Sequence, residues 1–211
     1  MTLQIPYLVI CGTDTDIGKT IISALIVQGL KASYWKPIQS GLENGGDRGR
    51  INKLINLSHE RSLDEVYKFK APVSPHWAAE QEKCLIDIDK LSLPQIKNPL
   101  VIETAGGLMV PLTRKYLQIE LLRKWSVPVV LVARSGLGTL NHTLLSIEAL
   151  RQHQIPLLGL IINGPIHPDN PKTLERFGQT TVIAEIPHLQ EITAESLSKC
   201  WENQQINSKL E

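Results

Sequence analysis

The residues best suited to chemistry in this 211-residue chain are Gly18, Lys19 and Thr20, which follow one another directly. A short apolar run, Tyr7–Cys11, precedes them, and an apolar segment of helical period, Ile21–Leu30, follows them. This order is typical of a strand, a phosphate-binding loop and a helix. The backbone N–H groups of such a loop face an anion at the positive end of the helix dipole. We therefore expect Lys19 to bring positive charge to the outer phosphates and the Thr20 hydroxyl to ligate Mg²⁺.

The spacing of this loop departs from the common phosphate-loop pattern, in which four residues separate the two glycines. Five residues separate Gly12 from Gly18, and Thr13 stands where the common pattern has its first glycine. A Gly-Lys-Thr triplet also occurs by chance in surface turns. The position of this triplet, between an apolar strand-like run and a helix start, favours the phosphate loop.

Length, charge and cysteine content narrow the class of protein. We predict that residues 1–211 form a single P-loop α/β domain, near the upper end of ordinary domain size. The net charge of +1 gives no argument for nucleic-acid binding. The widely separated Cys11, Cys84 and Cys200 disfavour disulfides and structural zinc and are typical of a reducing compartment. Because neither a signal peptide nor an apolar run of roughly 18 residues is recognised, we expect a cytoplasmic protein without a membrane partner.

Apolar runs alternate with segments of helical period along the chain. The predicted strands are Tyr7–Cys11, Ala32–Trp35, Leu100–Ile102, Val127–Ala133, Leu157–Ile162 and Thr181–Ile186. The predicted helices are Lys19–Lys31, Asp47–Leu57, Leu117–Lys124, Leu140–His153, Pro171–Phe177 and Thr193–Trp201. Several of the strands are apolar throughout, as in parallel strands that are buried on both faces. The alternation predicts a doubly wound α/β fold, with a mostly parallel sheet, helices on both faces and functional loops at the carboxyl ends of the strands.

Two segments fit this pattern less well. The stretch Tyr67–Leu93 contains Pro72 and Pro75, and we interpret it as a possible insertion with a short helix at its end. The tail from Asn203 onward is polar, so we expect it to fray.

Charged residues stand directly after two predicted strands and at one helix start. Lys36 follows the second strand, where it could neutralise a phosphoryl group or an anionic substrate, although most lysines simply lie on the surface. Glu103 ends the third strand beside a glycine turn and is either a second acid for Mg²⁺ or a surface acid. Asp47 precedes a helix and is equally suited to capping it. Ser40, taken alone, is typical of a turn.

The later loops carry weaker signals. Gly136 and Gly138 lead into a helix whose first N–H groups could hold a carboxylate, and a flexible helix start explains them equally well. His142 taken alone is more often a packed or capping residue. The segments 163–165 and 186–189 follow the fifth and sixth strands and are turns by their residue types. An asparagine side chain in such a turn can also recognise a purine edge.

Taken together, these stretches resemble the dethiobiotin synthetase family. The matching stretches are GTDTDIGKT at 12–20, WKPIQSG at 35–41, Asp47, APVSPHWAAE at 71–80, ETAGG at 103–107, GLGTLNHTLLS at 136–146, ING at 162–164 and EIPHL at 185–189. They occur in order from about Leu8 to Leu189, and the extended phosphate loop of that family accounts for the unusual glycine spacing. The resemblance implies a Mg²⁺- and ATP-dependent enzyme of biotin biosynthesis that acts as a homodimer. Its substrates would be 7,8-diaminononanoate and CO₂ or bicarbonate, and its products dethiobiotin, ADP and phosphate.

The resemblance also implies roles for individual residues in this reaction, which passes through a carbamate and a carbamic-phosphoric anhydride. The catalytic residues would be Lys36, Lys19, Thr15 and Ser40. The nucleotide would be bound by Asp16, Ile17, Gly18, Lys19, Thr20, Ile21, Asp47, Glu103, Thr104, Ala105, Gly106, Asn163, Gly164, Pro187, His188 and Leu189. Mg²⁺ would be held by Thr20, Asp47 and Glu103. The diamine substrate would be bound by Ser40 and, across the dimer interface, by Gly138, Thr139, Leu140 and Asn141.

Two other kinds of P-loop protein remain as alternatives. A nucleotide-switch ATPase of the partitioning or iron-protein type usually has an extra lysine early in the loop, and Gly12-Thr13-Asp14 contains none. An amidating synthetase would normally need a glutaminase domain, for which 211 residues leave no room. Because a shared fold is a weak guide to function, neither alternative is removed by the fold alone.

Overall fold

The computed structural model describes residues 6–210. These residues form ten strands: β1 (Tyr7–Gly12), β2 (Ser33–Trp35), β3 (Ile38–Ser40), β4 (Tyr67–Phe69), β5 (Leu100–Gly107), β6 (Pro111–Thr113), β7 (Tyr116–Leu117), β8 (Val129–Arg134), β9 (Leu157–Asn163) and β10 (Val182–Ile186). They form eight α-helices: α1 (Lys19–Gly29), α2 (Gly46–Ile55), α3 (Pro75–Gln81), α4 (Gln118–Trp125), α5 (Thr139–Gln152), α6 (Asn170–Gly178), α7 (Ala194–Asn203) and α8 (Ile206–Lys209). Short 3₁₀ helices lie at Glu43–Gly45, His59–Arg61 and Ile88–Leu91.

A six-stranded sheet in the order β10-β9-β8-β1-β5-β2 forms the centre of the fold. Every neighbouring pair in this sheet is parallel. Each of the six strands predicted from the sequence is confirmed and belongs to this sheet. Because β1 lies between β5 and β8, the loops after these strands open a crevice at one edge, where ligands bind in folds of this class.

Apolar side chains on the two faces of the sheet form two separate cores. In β1, Leu8 and Ile10 belong to the core that includes α1, α2, α7 and α8, whereas Val9 and Cys11 belong to the core that includes α3, α4, α5 and α6. This division follows from the two-residue period of a strand. It confirms the prediction of a doubly wound sheet with helices on both faces.

The structure gives definite elements to the two segments that fit the sequence pattern less well. In the stretch Tyr67–Leu93, β4 pairs in parallel with β3, and α3 lies in the middle, followed by the 3₁₀ helix at Ile88–Leu91. The tail forms α8 within the described residues, and Ile206 and Leu210 are 0% and 2% exposed. The polar residues around them hid these two apolar anchors, and the sequence therefore did not indicate that the tail packs on the core.

No helix formed by residues 6–210 combines the length and the apolar character that crossing a bilayer requires.

Candidate active site

Four polar side chains from four different elements meet at the carboxyl edge of the sheet. Thr20 lies in the first turn of α1, Asp47 in that of α2, Glu103 in β5, and Lys36 directly after β2. The Thr20 Oγ1 donates to Asp47 Oδ1 at 2.9 Å and to Glu103 Oε1 at 3.0 Å. The Lys36 Nζ donates to Glu103 Oε1 at 3.1 Å and also to Asp47 Oδ2. Residues separated by up to 83 positions in the chain therefore form one hydrogen-bonded cluster.

Burial and charge act against each other in this cluster. Burial alone would lower the pKa of Lys36, but the carboxylates of Glu103 and Asp47 outweigh it, so the pKa of Lys36 is raised. Burial would likewise raise the pKa of Asp47, but the ammonium group of Lys36 lowers it. For Lys19, burial is the largest cause of a lowered pKa, and the charge of Lys36 lowers it further while Glu103 opposes both.

The phosphate-binding loop runs from the end of β1 to the start of α1. Gly18 immediately precedes α1 with a φ of 94°, and a Cβ at this position would lie 2.1 Å from Asn163 Nδ2. The Asn163 Nδ2 donates to the carbonyl of Ile17 at 2.9 Å, so this side chain supports the loop from β9. No side chain caps α1 and its first turn contains no acid. The N–H groups there are thus available to an anion, as the sequence predicts.

A cavity of about 670 Å³ opens between the phosphate-binding loop and the polar cluster. Thirteen of the predicted site residues line it: Thr15, Asp16, Gly18, Lys19, Thr20, Ile21, Lys36, Ser40, Asp47, Glu103, Ala105, Gly106 and Asn163. The Lys19 Nζ donates to the carbonyl of Asp14 at 2.7 Å. The Ser40 Oγ is buried and has no hydrogen-bond partner within residues 6–210, so a ligand in this cavity would give it one.

Two predicted residues of the loops point elsewhere. The Ile17 side chain is 4% exposed and packs in the apolar core beneath the loop. The Thr104 side chain is 3% exposed, and its hydroxyl donates to the carbonyl of Ile10 at 3.3 Å. The Thr104 side chain therefore lies against β1 and does not line the cavity.

The remaining predicted residues do not line this cavity. Pro187, His188 and Leu189 follow β10, and the Gly164 N–H donates to the carbonyl of Ile186 at 2.9 Å, which joins the loops after β9 and β10. Gly138 precedes α5 with a φ of 88°, and Thr139, Leu140 and Asn141 form its first turn. The Thr139 side chain is buried and Leu140 packs against a core, whereas Asn141 is exposed.

Sequence reasoning missed several residues that build this site. Gln39, Arg50, Val110 and the segment 72–75 also line the cavity. The segment belongs to the stretch whose structure the sequence left open. The family resemblance covers it within residues 71–80, but it assigned no role to these four residues. Gln118 is the first residue of α4, and no motif in the sequence marks it. Its side chain accepts from the Ala105 N–H at 3.0 Å and donates to the Gly107 carbonyl at 2.8 Å. It therefore fixes the loop after Glu103.

The fold and this site together define a P-loop nucleotide-binding protein of the α/β class. Solved structures with the same fold include MinD in the MinC:MinD complex of Aquifex aeolicus, with a TM-score of 0.58, 14% identity and coverage of 97% of this chain and 93% of that one. MinD of Pyrococcus horikoshii, solved with Mg-ADP, has a TM-score of 0.57 and 15% identity, with the same coverage. The family model described as "AAA domain" matches residues 7–196.

Closer relatives identify the family. ATP-dependent dethiobiotin synthetase BioD of Rhodopseudomonas palustris (strain BisA53) is 47% identical over 196 residues, 93% of this chain and 92% of the relative. BioD of Agrobacterium fabrum is 44% identical over 193 residues, 92% of this chain and 91% of the relative. The chain belongs to the family of ATP-dependent dethiobiotin synthetases.

Proposed function

We propose that this protein catalyses the ATP-dependent closure of the ureido ring of dethiobiotin from 7,8-diaminononanoate and CO₂. In this reaction an amine of the substrate captures CO₂ as a carbamate and loses a proton. A carbamate oxygen then attacks the γ-phosphorus of ATP and ADP leaves. The second amine attacks the carbonyl of the resulting mixed anhydride, and phosphate leaves as the ring closes. Close relatives named for this activity, and a site with the charges it requires, support the proposal.

The observation that carries the proposal is the convergence of two lysines and two carboxylates on one cavity beside the phosphate-binding loop. Negative charge accumulates on the phosphoryl and carbamate oxygens in each step. Fixed cations and hydrogen-bond donors stabilise such charge most when water is excluded. Lys36 is 6% exposed and Lys19 is also 6% exposed, so both ammonium groups act in a poorly solvated setting.

Lys36 has the position expected of the catalytic cation. Its ammonium group is paired with Asp47 and Glu103. When the triphosphate enters, Lys36 can turn toward the transferring phosphoryl group while remaining at the same edge of the cavity. Lys19, which now contacts a loop carbonyl, would hold the outer phosphates.

The residues present suit a magnesium ion. Thr20 Oγ1 lies 2.9 and 3.0 Å from one oxygen each of Asp47 and Glu103, so three oxygen ligands already point at one another. Mg²⁺ prefers such oxygen ligands and usually keeps several of its waters. When bound there, the ion would neutralise charge on the phosphate chain of ATP.

The other predicted residues would form subsites for the substrates. Thr15 and Ser40 line the cavity and would donate hydrogen bonds near the carbamate, and the unpartnered Ser40 hydroxyl supports this role. The joined loops carrying Asn163 and Gly164 and residues 187–189 would frame adenine.

The start of α5 would hold the substrate carboxylate across a homodimer interface. Its exposed apolar neighbours Leu137 and Leu145, at 105% and 63% exposure, support this proposal because such side chains are commonly covered in an interface.

An isotope experiment tests the proposed chemistry. With ¹⁸O-labelled bicarbonate, each released phosphate is expected to carry one labelled oxygen, because the oxygen that attacks phosphorus leaves with it. With ¹³C-bicarbonate, dethiobiotin is expected to gain one labelled carbon. Unlabelled phosphate formed alongside labelled dethiobiotin would contradict the anhydride, and the absence of dethiobiotin would contradict the function.

A further inference from the structure

A tyrosine within the second predicted strand contacts the polar cluster. Tyr34 is the middle residue of β2 and is 0% exposed. Its hydroxyl donates to Glu103 Oε2 at 2.9 Å.

The two carboxylate oxygens of Glu103 accept hydrogen bonds from different groups. Oε2 accepts from Tyr34, whereas Oε1 accepts from Thr20 at 3.0 Å and from Lys36 at 3.1 Å. Only Oε1 therefore faces the other members of the polar cluster. Glu103 is 1% exposed, so water cannot readily replace the phenol as a donor to Oε2.

The backbone holds the phenol in this position from two sides. Tyr34 pairs with Val101 of β5, two residues before Glu103, and its carbonyl accepts from the Leu63 N–H at 2.9 Å. The ring packs in the core beneath α1 and α2. A phenylalanine would fill nearly the same space, so packing alone does not require the hydroxyl.

We propose that Tyr34 is a positioning residue for the metal site: its hydroxyl holds Oε2 and thereby keeps Oε1 of Glu103 directed at Thr20 and Asp47. This inference rests on the magnesium role given to Glu103 in the proposed function. Hydrogen bonds of this kind orient a ligand that is already bonded to the metal, and losing one commonly weakens metal binding 10- to 100-fold.

The test compares Tyr34→Phe with Tyr7→Phe, which serves as the matched control. The Tyr7 hydroxyl donates to the carbonyl of Pro94 at 2.8 Å, so each variant loses one hydroxyl and one hydrogen bond, but Tyr7 lies at the start of β1 and does not line the cavity. Mn²⁺ binding is measured by electron paramagnetic resonance in the presence of a non-hydrolysable ATP analogue. The half-saturating Mg²⁺ concentration for phosphate release is measured in parallel.

We expect Tyr34→Phe to weaken Mn²⁺ binding and raise the half-saturating Mg²⁺ concentration about tenfold, with turnover restored by excess metal. Tyr7→Phe is expected to change neither value. Equal metal binding by Tyr34→Phe and the unmodified protein would overturn the inference, and so would an equal shift in Tyr7→Phe. Mn²⁺ binding needs no turnover, so a failure of the proposed reaction leaves this test standing.

Tyr34→Phe leaves a buried carboxylate oxygen of Glu103 without its donor, and this variant can fail to fold for that reason. A second pair of variants keeps the proposal testable in that case. Glu103→Ala removes the carboxylate, and Tyr34→Phe combined with Glu103→Ala leaves neither group unpaired. The double variant is expected to bind Mn²⁺ within twofold of Glu103→Ala. A further tenfold loss would show that Tyr34 acts by another route. Unchanged Mn²⁺ binding by Glu103→Ala would overturn both this inference and the metal role on which it rests.

Discussion

Replacing Lys36 by methionine removes the ammonium group and keeps most of the apolar stem. This substitution leaves Glu103 and Asp47 without their cation. Removing one partner of a buried ion pair costs about 3–5 kcal/mol. We expect the lower end, because the Glu103 carboxylate retains its bonds from Thr20 and Tyr34. At roughly 2–4 °C per kcal/mol for a chain of this size, the midpoint of thermal unfolding should fall by about 6–12 °C.

The same substitution should have a larger effect on catalysis than on nucleotide binding. Losing one fixed donor to developing charge costs about 10²–10³ in kcat. The phosphate-binding loop and Lys19 are unchanged, so ATP should still bind with similar affinity. Mg²⁺ should restore part of the lost thermal stability of Lys36→Met, because it brings positive charge back to the two carboxylates.

The assays are diamine-dependent phosphate release, calorimetric ATP binding, and thermal unfolding with and without Mg²⁺. Lys124→Met is the matched control, since Lys124 pairs with Asp89 at 2.7 Å on the surface, with 45% and 89% of the two side chains exposed. Such surface pairs contribute little to stability, and this variant should keep full turnover. Turnover of Lys36→Met within threefold of the unmodified protein would refute the catalytic role of Lys36. An unchanged unfolding midpoint would refute the account of the ion pair.

Gly18→Ala should weaken ATP binding at least tenfold in calorimetry, because the φ of Gly18 is 94° and the added Cβ would lie 2.1 Å from a side-chain atom of Asn163. Gly136→Ala is the control and should bind ATP normally, because no atom lies within 4 Å of its added Cβ. Because the pKa of Asp47 is lowered from its usual 3.8, the stability that this carboxylate contributes is present above that pH and is lost as the pH falls through the pKa of the folded protein. Between about pH 5 and 3 the midpoint of thermal unfolding should therefore fall less in Asp47→Asn than in the unmodified protein. Ile206→Ala should lower the free energy of unfolding in urea by about 2–4 kcal/mol, because Ile206 is fully buried. Ile166→Ala is the control, since Ile166 is 59% exposed, and equal effects of the two substitutions would contradict the burial of the tail.

The sequence was most informative where one physical rule decides the structure. Short apolar runs that alternate with segments of helical period favour parallel strands buried on both faces, and all six predicted strands belong to the sheet. Lys36 and Glu103 were each predicted to stand at the carboxyl end of a strand, and such ends meet at one edge of a parallel sheet. In the structure the Lys36 Nζ lies 3.1 Å from Glu103 Oε1.

The sequence was least informative where contacts depend on three-dimensional neighbours. Tyr34 stands in an apolar strand, and its bond to Glu103 is visible only when β2 and β5 are paired. Residues 72–75 line the cavity. The family resemblance covers this segment, but nothing in its sequence shows that it lies at the cavity. Ile206 and Leu210 are buried by elements far away in the chain, which local polarity cannot reveal.

Phosphate release from ATP and bicarbonate, measured with and without 7,8-diaminononanoate, tests the proposed function most directly. We predict that release depends on the diamine and that one dethiobiotin forms for each phosphate. Release that proceeds equally without the diamine, or that is stimulated equally by DNA or by a protein partner, would contradict this function and favour a nucleotide-switch ATPase.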